Sequence, residues 1–127
     1  MKNNEKEISS SEWEVMNVIW QYKNISANDV INNLNGYNKW DPKTIRTLIN
    51  RLFNKGYIDR KKENKVYIYF PVVKEDDVKY ETSKNFINKV FKGGLKSLVL
   101  NFVEKKDLTQ KEIDELREIL DDNTDER

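Results

Sequence analysis

Apolar residues recur at two spacings along this chain, and the switch between them divides it. Up to Gly56 the spacing is helical. From Ser9 to about Tyr22, the apolar residues Trp13, Val15, Met16, Val18, Ile19 and Trp20 crowd one segment, and Ser9 and Glu12 have capping-box spacing. A helix with two tryptophans and so much apolar surface is a core element, and Met1 to Lys6 before it reads as a mobile tail. Ile25 forms a brief extended link. Ser26-Ala27-Asn28-Asp29 is a second cap with Asp in the place usual for Glu; Ala27, Val30, Ile31 and Leu34 then give one stripe, and Gly36 ends the helix. A polar linker, Tyr37-Asn38-Lys39, leads through Trp40 to the best-marked helix of the chain. There Asp41 supplies an N-cap and Pro42 suits the first turn. Ile45, Leu48, Ile49, Leu52 and Phe53 fall on one face, with Lys55 placed for the helix dipole and Gly56 for a left-handed cap.

After Gly56 the period shortens to two. Tyr57–Lys62 and Lys65–Phe70 read as strands, the second alternating Val66, Ile68 and Phe70 against Tyr67 and Tyr69. Glu63-Asn64 is the expected turn, and Pro71 closes the second strand because it cannot donate to a ladder. From Lys74 the helical period returns. One helix runs to about Lys92, with Phe86, Ile87, Val90 and Phe91 apolar, and Gly93-Gly94 breaks it. Leu95, Leu98, Val99, Phe102 and Val103 mark a second helix. Leu108, Ile113, Leu116, Ile119 and Leu120 mark a third, entered through the capping-box pair Thr109 and Glu112; an acidic, frayed tail begins at Asp121. The expected fold is mainly α with a small β-hairpin wing: a winged helix-turn-helix over residues 1–73 and a three-helix dimerisation domain over 74–127. Three helices this short do not easily enclose a core, so their apolar faces are expected against a second copy. The residues expected in that interface are Phe86, Ile87, Val90, Phe91, Leu95, Leu98, Val99, Phe102, Ile113, Leu116 and Leu120.

Chemistry concentrates on the helix after Asp41. Opposite its apolar stripe stand Lys43, Thr47, Asn50 and Asn54, flanked by Arg46, Thr44 and Arg51. That face holds no acid, and it combines long cations with the hydroxyls and amides that meet phosphates and base edges in a major groove. The hairpin adds Arg60, Lys61, Lys62 and Lys65. Net charge is only +1, yet from Lys39 to Lys65 nine cations face three acids, and beyond Lys74 acids outnumber bases. A neutral total thus conceals a local basic surface. The residues expected to touch double-stranded DNA are Lys43, Thr44, Arg46, Thr47, Asn50, Arg51, Arg60, Lys62 and Lys65.

The chain has no cysteine and no histidine. Disulfides, thiol nucleophiles, imidazole catalysis and Cys/His zinc sites are excluded, and no cofactor or metal is expected. Asp76-Asp77 and Asp114-Glu115 are neighbours that do not face each other on a helix, so they read as solvated surface and not as an acid–base pair. With no apolar signal core and no run long enough to cross a bilayer, a cytoplasmic protein with no membrane insertion is expected.

The segments Glu12-Trp13-Glu14-Val15-Met16-Asn17, Lys43-Thr44-Ile45-Arg46-Thr47-Leu48-Ile49 and Lys96-Ser97-Leu98-Val99-Leu100-Asn101-Phe102 resemble the family of penicillinase and methicillin-resistance repressors, and the likeness runs from Ile8 to about Leu120. The resemblance implies a non-enzymatic, winged-helix homodimer that binds palindromic operators and silences genes for β-lactamase or a resistant transpeptidase. It implies that Lys43, Thr44, Arg46, Thr47 and Arg51 enter the major groove. It also implies induction by a membrane sensor-protease responding to β-lactams, with the cut between Asn101 and Phe102. A related branch senses copper through C-terminal cysteines, which this chain lacks. Two other readings compete: a winged helix used only for protein contacts, and a small-molecule-responsive repressor of other resistance genes with a ligand pocket between its domains.

Overall fold

The computed structural model describes residues 6–35 and 40–123. Its elements run α1 (Ser10–Tyr22), β1 (Ile25–Ser26), α2 (Ala27–Leu34), α3 (Pro42–Lys55), β2 (Ile58–Glu63), β3 (Val66–Pro71), α4 (Glu75–Val90), α5 (Leu95–Glu104) and α6 (Gln110–Asn123). The chain divides into two compact units, Met1–Tyr80 and Glu81–Arg127. Among the described residues no helix is long and apolar enough to cross a membrane.

The first unit is a winged helix. The Ser9 hydroxyl accepts the Glu12 N–H and the Glu12 carboxylate accepts the Ser9 N–H, so the capping box that opens α1 is complete. At α2 only half of the expected cap forms, with Ser26 Oγ accepting from the Asp29 N–H. That helix ends at Leu34; Gly36 and the linker Tyr37–Lys39 lie outside the described residues. At the other end of α3, Gly56 sits left-handed at φ 88°, and the Gly56 and Tyr57 N–H groups close onto the carbonyls of Phe53 and Leu52. Ile25, expected as a mere link, belongs to a strand. It pairs with Tyr69, giving a three-stranded antiparallel sheet of order β1-β3-β2.

Apolar side chains of α1, α2, α3 and the sheet meet in one core, which includes Met16, Ile19, Val30, Ile45, Ile49, Leu52 and Ile58. Trp20 is buried; Trp13 is half-buried, with ring centroids 5.8 Å apart. On β3 the deeply buried residue is Tyr69, 6% exposed, while Tyr67 and Val66 remain 41% and 47% exposed. The hairpin turn falls one residue later than Glu63-Asn64. Glu63 pairs with Val66, leaving Asn64 (φ 52°) and Lys65 (φ 70°) as the loop. Two consecutive left-handed residues form the tight turn whose twist matches paired strands, and that geometry outweighs the reluctance of lysine to adopt it.

In the second unit, Thr109 and Glu112 form the expected capping box at the start of α6. Gly94, at φ 77° and ψ −152°, occupies backbone space open to glycine and caps α5. The tail runs as helix to Asn123; its last four residues lie outside the described ones.

Candidate nucleic-acid interface

Along α3 the division between faces is sharp. Ile45, Leu48, Ile49 and Leu52 are at most 4% exposed, whereas Lys43, Thr44, Arg46, Thr47, Asn50, Arg51 and Asn54 are all exposed. Phe53, expected with the buried stripe, is only half-buried because it lies at the edge of the helix beneath Arg60. The Asp41 carboxylate accepts the Thr44 N–H at 2.8 Å. That bond, then the Thr44 hydroxyl and the charge of Lys43, holds the Asp41 carboxyl below its ordinary range. Thr47 donates its hydroxyl to the Lys43 carbonyl at 3.0 Å, so both threonines are oriented by their own helix. Arg46 reaches back to α2, donating from Nη2 to Asn28 Oδ1 at 2.6 Å. Among the described residues, no hydrogen bond or ion pair engages the side chains of Lys43, Asn50 and Arg51.

The wing presents its cations differently. The Arg60 guanidinium lies between two rings, 4.3 Å from the centroid of Phe53 and 4.1 Å from that of Tyr67. Each such contact contributes about 0.5–1 kcal/mol at an exposed site. Arg60 therefore braces the hairpin against α3 and has only the edges of its guanidinium left for a phosphate. The Lys62 ammonium stands 5.4 Å from the Tyr67 centroid, and Lys65 is exposed at the turn. Lys61 is paired with Glu63 at 3.4 Å in solvent.

What fixes α3 relative to α1 was not apparent from periodicity. Glu12, read as a capping residue, is 1% exposed and forms an ion pair with Lys55 at 2.7 Å. Lys55 also donates to the Glu7 carbonyl at 2.8 Å. A buried carboxylate is tolerated only when paired and hydrogen-bonded, and here Ser9 and Lys55 supply both. The Tyr57 hydroxyl donates to the Lys6 carbonyl, so Lys6 is tied down and is not part of a loose tail. Burial, then the charges of Glu12 and Glu7, pushes the Tyr57 phenol up. Sequence reading also passed over Asn28 and Tyr69. Each adjoins the exposed face of α3 only through contacts distant in sequence, which no local pattern signals.

Within the second unit, no described residue is buried. Of the residues expected to pair copies, Phe86, Val90, Leu95, Val99, Phe102, Leu116 and Leu120 are 40–65% exposed, and Ile87, Phe91, Leu98 and Ile113 are half-buried. Asn101 and Phe102 lie exposed in the second half of α5.

Residues 8–122 match the model of the penicillinase repressor family. The chain is 63% identical over 120 residues to the methicillin resistance regulatory protein MecI of Staphylococcus aureus, covering 94% of this chain and 98% of that one. It is 49% identical over 122 residues to the penicillinase repressor of Staphylococcus aureus, covering 96% and 97%. Among solved structures, the monomeric form of Bacillus licheniformis BlaI in complex with the blaP half-operator is similar at a TM-score of 0.50 and 44% identity, over 56% of this chain and 87% of that one. Matched nearly end to end by the family model and by relatives of its own length, the chain belongs to the penicillinase repressor family.

Proposed function

We propose that this protein is a homodimeric transcriptional repressor that binds palindromic operators of β-lactam-resistance genes through α3 and the wing. The observation that carries the reading is the exposed, acid-free face of α3, set on a helix whose opposite face is sealed into the core. Lys43, Asn50 and Arg51 stand ready for base edges and phosphates, with Thr44, Arg46 and Thr47 beside them. The wing brings Arg60, Lys62 and Lys65 to the flank. Support also comes from the BlaI relative, whose solved structure holds a half-operator. Residues 1–73 are the DNA-binding part in this reading, and residues 74–127 join two copies by their apolar faces.

The switch is proteolytic. A membrane sensor-protease triggers a cut between Asn101 and Phe102, which lies in an exposed stretch of α5 and severs α6 from the DNA-binding unit. Dimer affinity falls, and operator affinity falls with it, because the second half-site contact is no longer linked to the first.

A footprint on DNA flanking the protein's own gene tests the reading. Protection is expected over two half-sites about one helical turn, or a multiple, apart. Arg51→Ala weakens operator binding by roughly 1–3 kcal/mol. Absence of any protected palindrome, or Arg51→Ala binding at full strength, overturns the assignment. Replacing Asn101 and Phe102 gives a repressor that still binds operator and resists induction; normal induction of that variant without cleavage would favour a ligand-driven switch.

A further inference from the structure

A cleft of about 230 Å³ opens beside the reading helix, between the N-terminus of α2, α3 and the wing. Ala27 and Asn28, Arg46, and then Lys65, Tyr67 and Tyr69 form most of its wall. Among the described residues that line it, two carry cationic side chains and none carries a carboxylate. The first N–H groups of a helix lack partners inside it and carry the positive end of its dipole. At α2 the Ser26 hydroxyl takes the Asp29 N–H at 3.2 Å, leaving those of Ala27 and Asn28 without an intrahelical acceptor. The 2.6 Å bond from Arg46 to Asn28 holds the guanidinium at the same end of the helix.

Tyr69 is the independent sign that something binds there. It is 6% exposed, and among the described residues its hydroxyl has no hydrogen-bond partner. Among the described residues no buried side-chain polar atom is sealed away without a partner, so the phenolic oxygen keeps access to solvent. Tyr69 lines both this cleft and a smaller one bounded by Ala27, Arg46, Ile49 and Asn50. A phenol so deeply set, unsatisfied by protein and surrounded by donors, is suited to an anionic oxygen.

We propose that this cleft grips one backbone phosphate of the bound duplex, with the Tyr69 hydroxyl, Arg46, Lys65 and the α2 N–H groups as donors. The proposal rests on the DNA-binding reading and deepens it. Tyr69 and Asn28 join the interface, and Arg46 becomes an affinity residue held by Asn28 and not a reader of bases. Phosphate contacts fix position and carry no sequence information, so the effects extend to every duplex.

The test is a binding titration of the full-length protein on the footprinted operator, repeated with single neutral methylphosphonate linkages along each strand. Tyr69→Phe removes one oxygen and is expected to weaken operator and unrelated duplex alike by about tenfold, the size of a hydrogen bond to a charged group, with an unchanged melting temperature. One methylphosphonate position should cost the wild type about tenfold and cost Tyr69→Phe little, since both remove the same contact. Lys65→Asn, which keeps a residue tolerant of φ 70° at the turn, should lose sensitivity to that same position and lower the salt slope by about one. If Tyr69→Phe binds as the wild type while Arg51→Ala is weakened, the phosphate site is wrong and the DNA-binding reading stands. A loss confined to the operator sequence also overturns the site, because it would mean base readout. A wild type that binds no duplex in a salt-dependent way removes both.

Discussion

The two units of this chain use similar apolar residues to opposite ends. Among the described residues of Met1–Tyr80, fifteen apolar side chains from three helices and a sheet are buried together. In Glu81–Arg127, α5 and α6 carry equally regular stripes, yet Leu95 remains 61% and Leu120 65% exposed. The difference lies in geometry. In the first unit, helices cross one another and the sheet closes a side, so stripes converge on a common point. The short helices of the second leave most of these apolar residues exposed, and it is this exposure that the proposed pairing of copies would remove. In the proposed reading, the first unit encloses its own core and the second is completed by a partner copy.

Large differences should appear first in the cores. Leu52→Ala should cost about 2–5 kcal/mol in urea unfolding, the range for a fully buried leucine. Leu95→Ala, measured at dilution where the chain is monomeric, should stay within about 0.5 kcal/mol. Equal costs would mean that the second unit has a core of its own. Next in size is the tie between α1 and α3. Glu12→Gln should destabilise the first unit by about 2–3 kcal/mol, below the full penalty for breaking a buried pair because Lys55 keeps some contact with water. Lys55→Met combined with it should cost less than the sum of the two changes, and strict additivity would deny the coupling.

The smallest effect concerns pH at the start of α3. Asp41 has its carboxyl lowered from an ordinary value of 3.8, mainly by the Thr44 N–H. A carboxyl depressed in the folded state adds stability that is present above its unfolded value and lost as pH falls through the folded one. Wild-type stability should therefore fall more steeply than that of Asp41→Asn as pH drops below about 4, where an unfolded-state aspartate takes up its proton. Parallel acid profiles from calorimetry would show that the cap carries no charge dependence.

How far the sequence alone reaches can be read from these same residues. The stripe of α3, its Asp-Pro entry and its Gly56 exit are local signals, and the structure bears them out. The two capping boxes at Ser9 and Thr109 are local as well. The one-residue displacement of the hairpin turn escaped because Glu63 pairs across to Val66, and register belongs to two strands at once. Glu12–Lys55 and Arg46–Asn28 join residues 43 and 18 positions apart, distances at which periodicity is silent. Tyr69 was legible as a strand residue, but its burial, where Tyr67 on the same face stays exposed, depends on what α2 and α3 place against it.

In the proposed function, the first unit reads DNA and the second supplies affinity only by joining copies. Sedimentation of a labelled full operator and a labelled half-operator, with wild type and with Leu95→Asp/Leu120→Asp, tests it most directly. Wild type is expected to bind the full operator as a dimer and far more tightly than the half-operator. The doubly substituted protein should be monomeric, should hold the half-operator as the wild-type monomer does, and should lose the advantage of the full site. A doubly substituted protein that keeps the full-operator advantage, or one that remains folded and no longer binds the half-operator, would contradict the account.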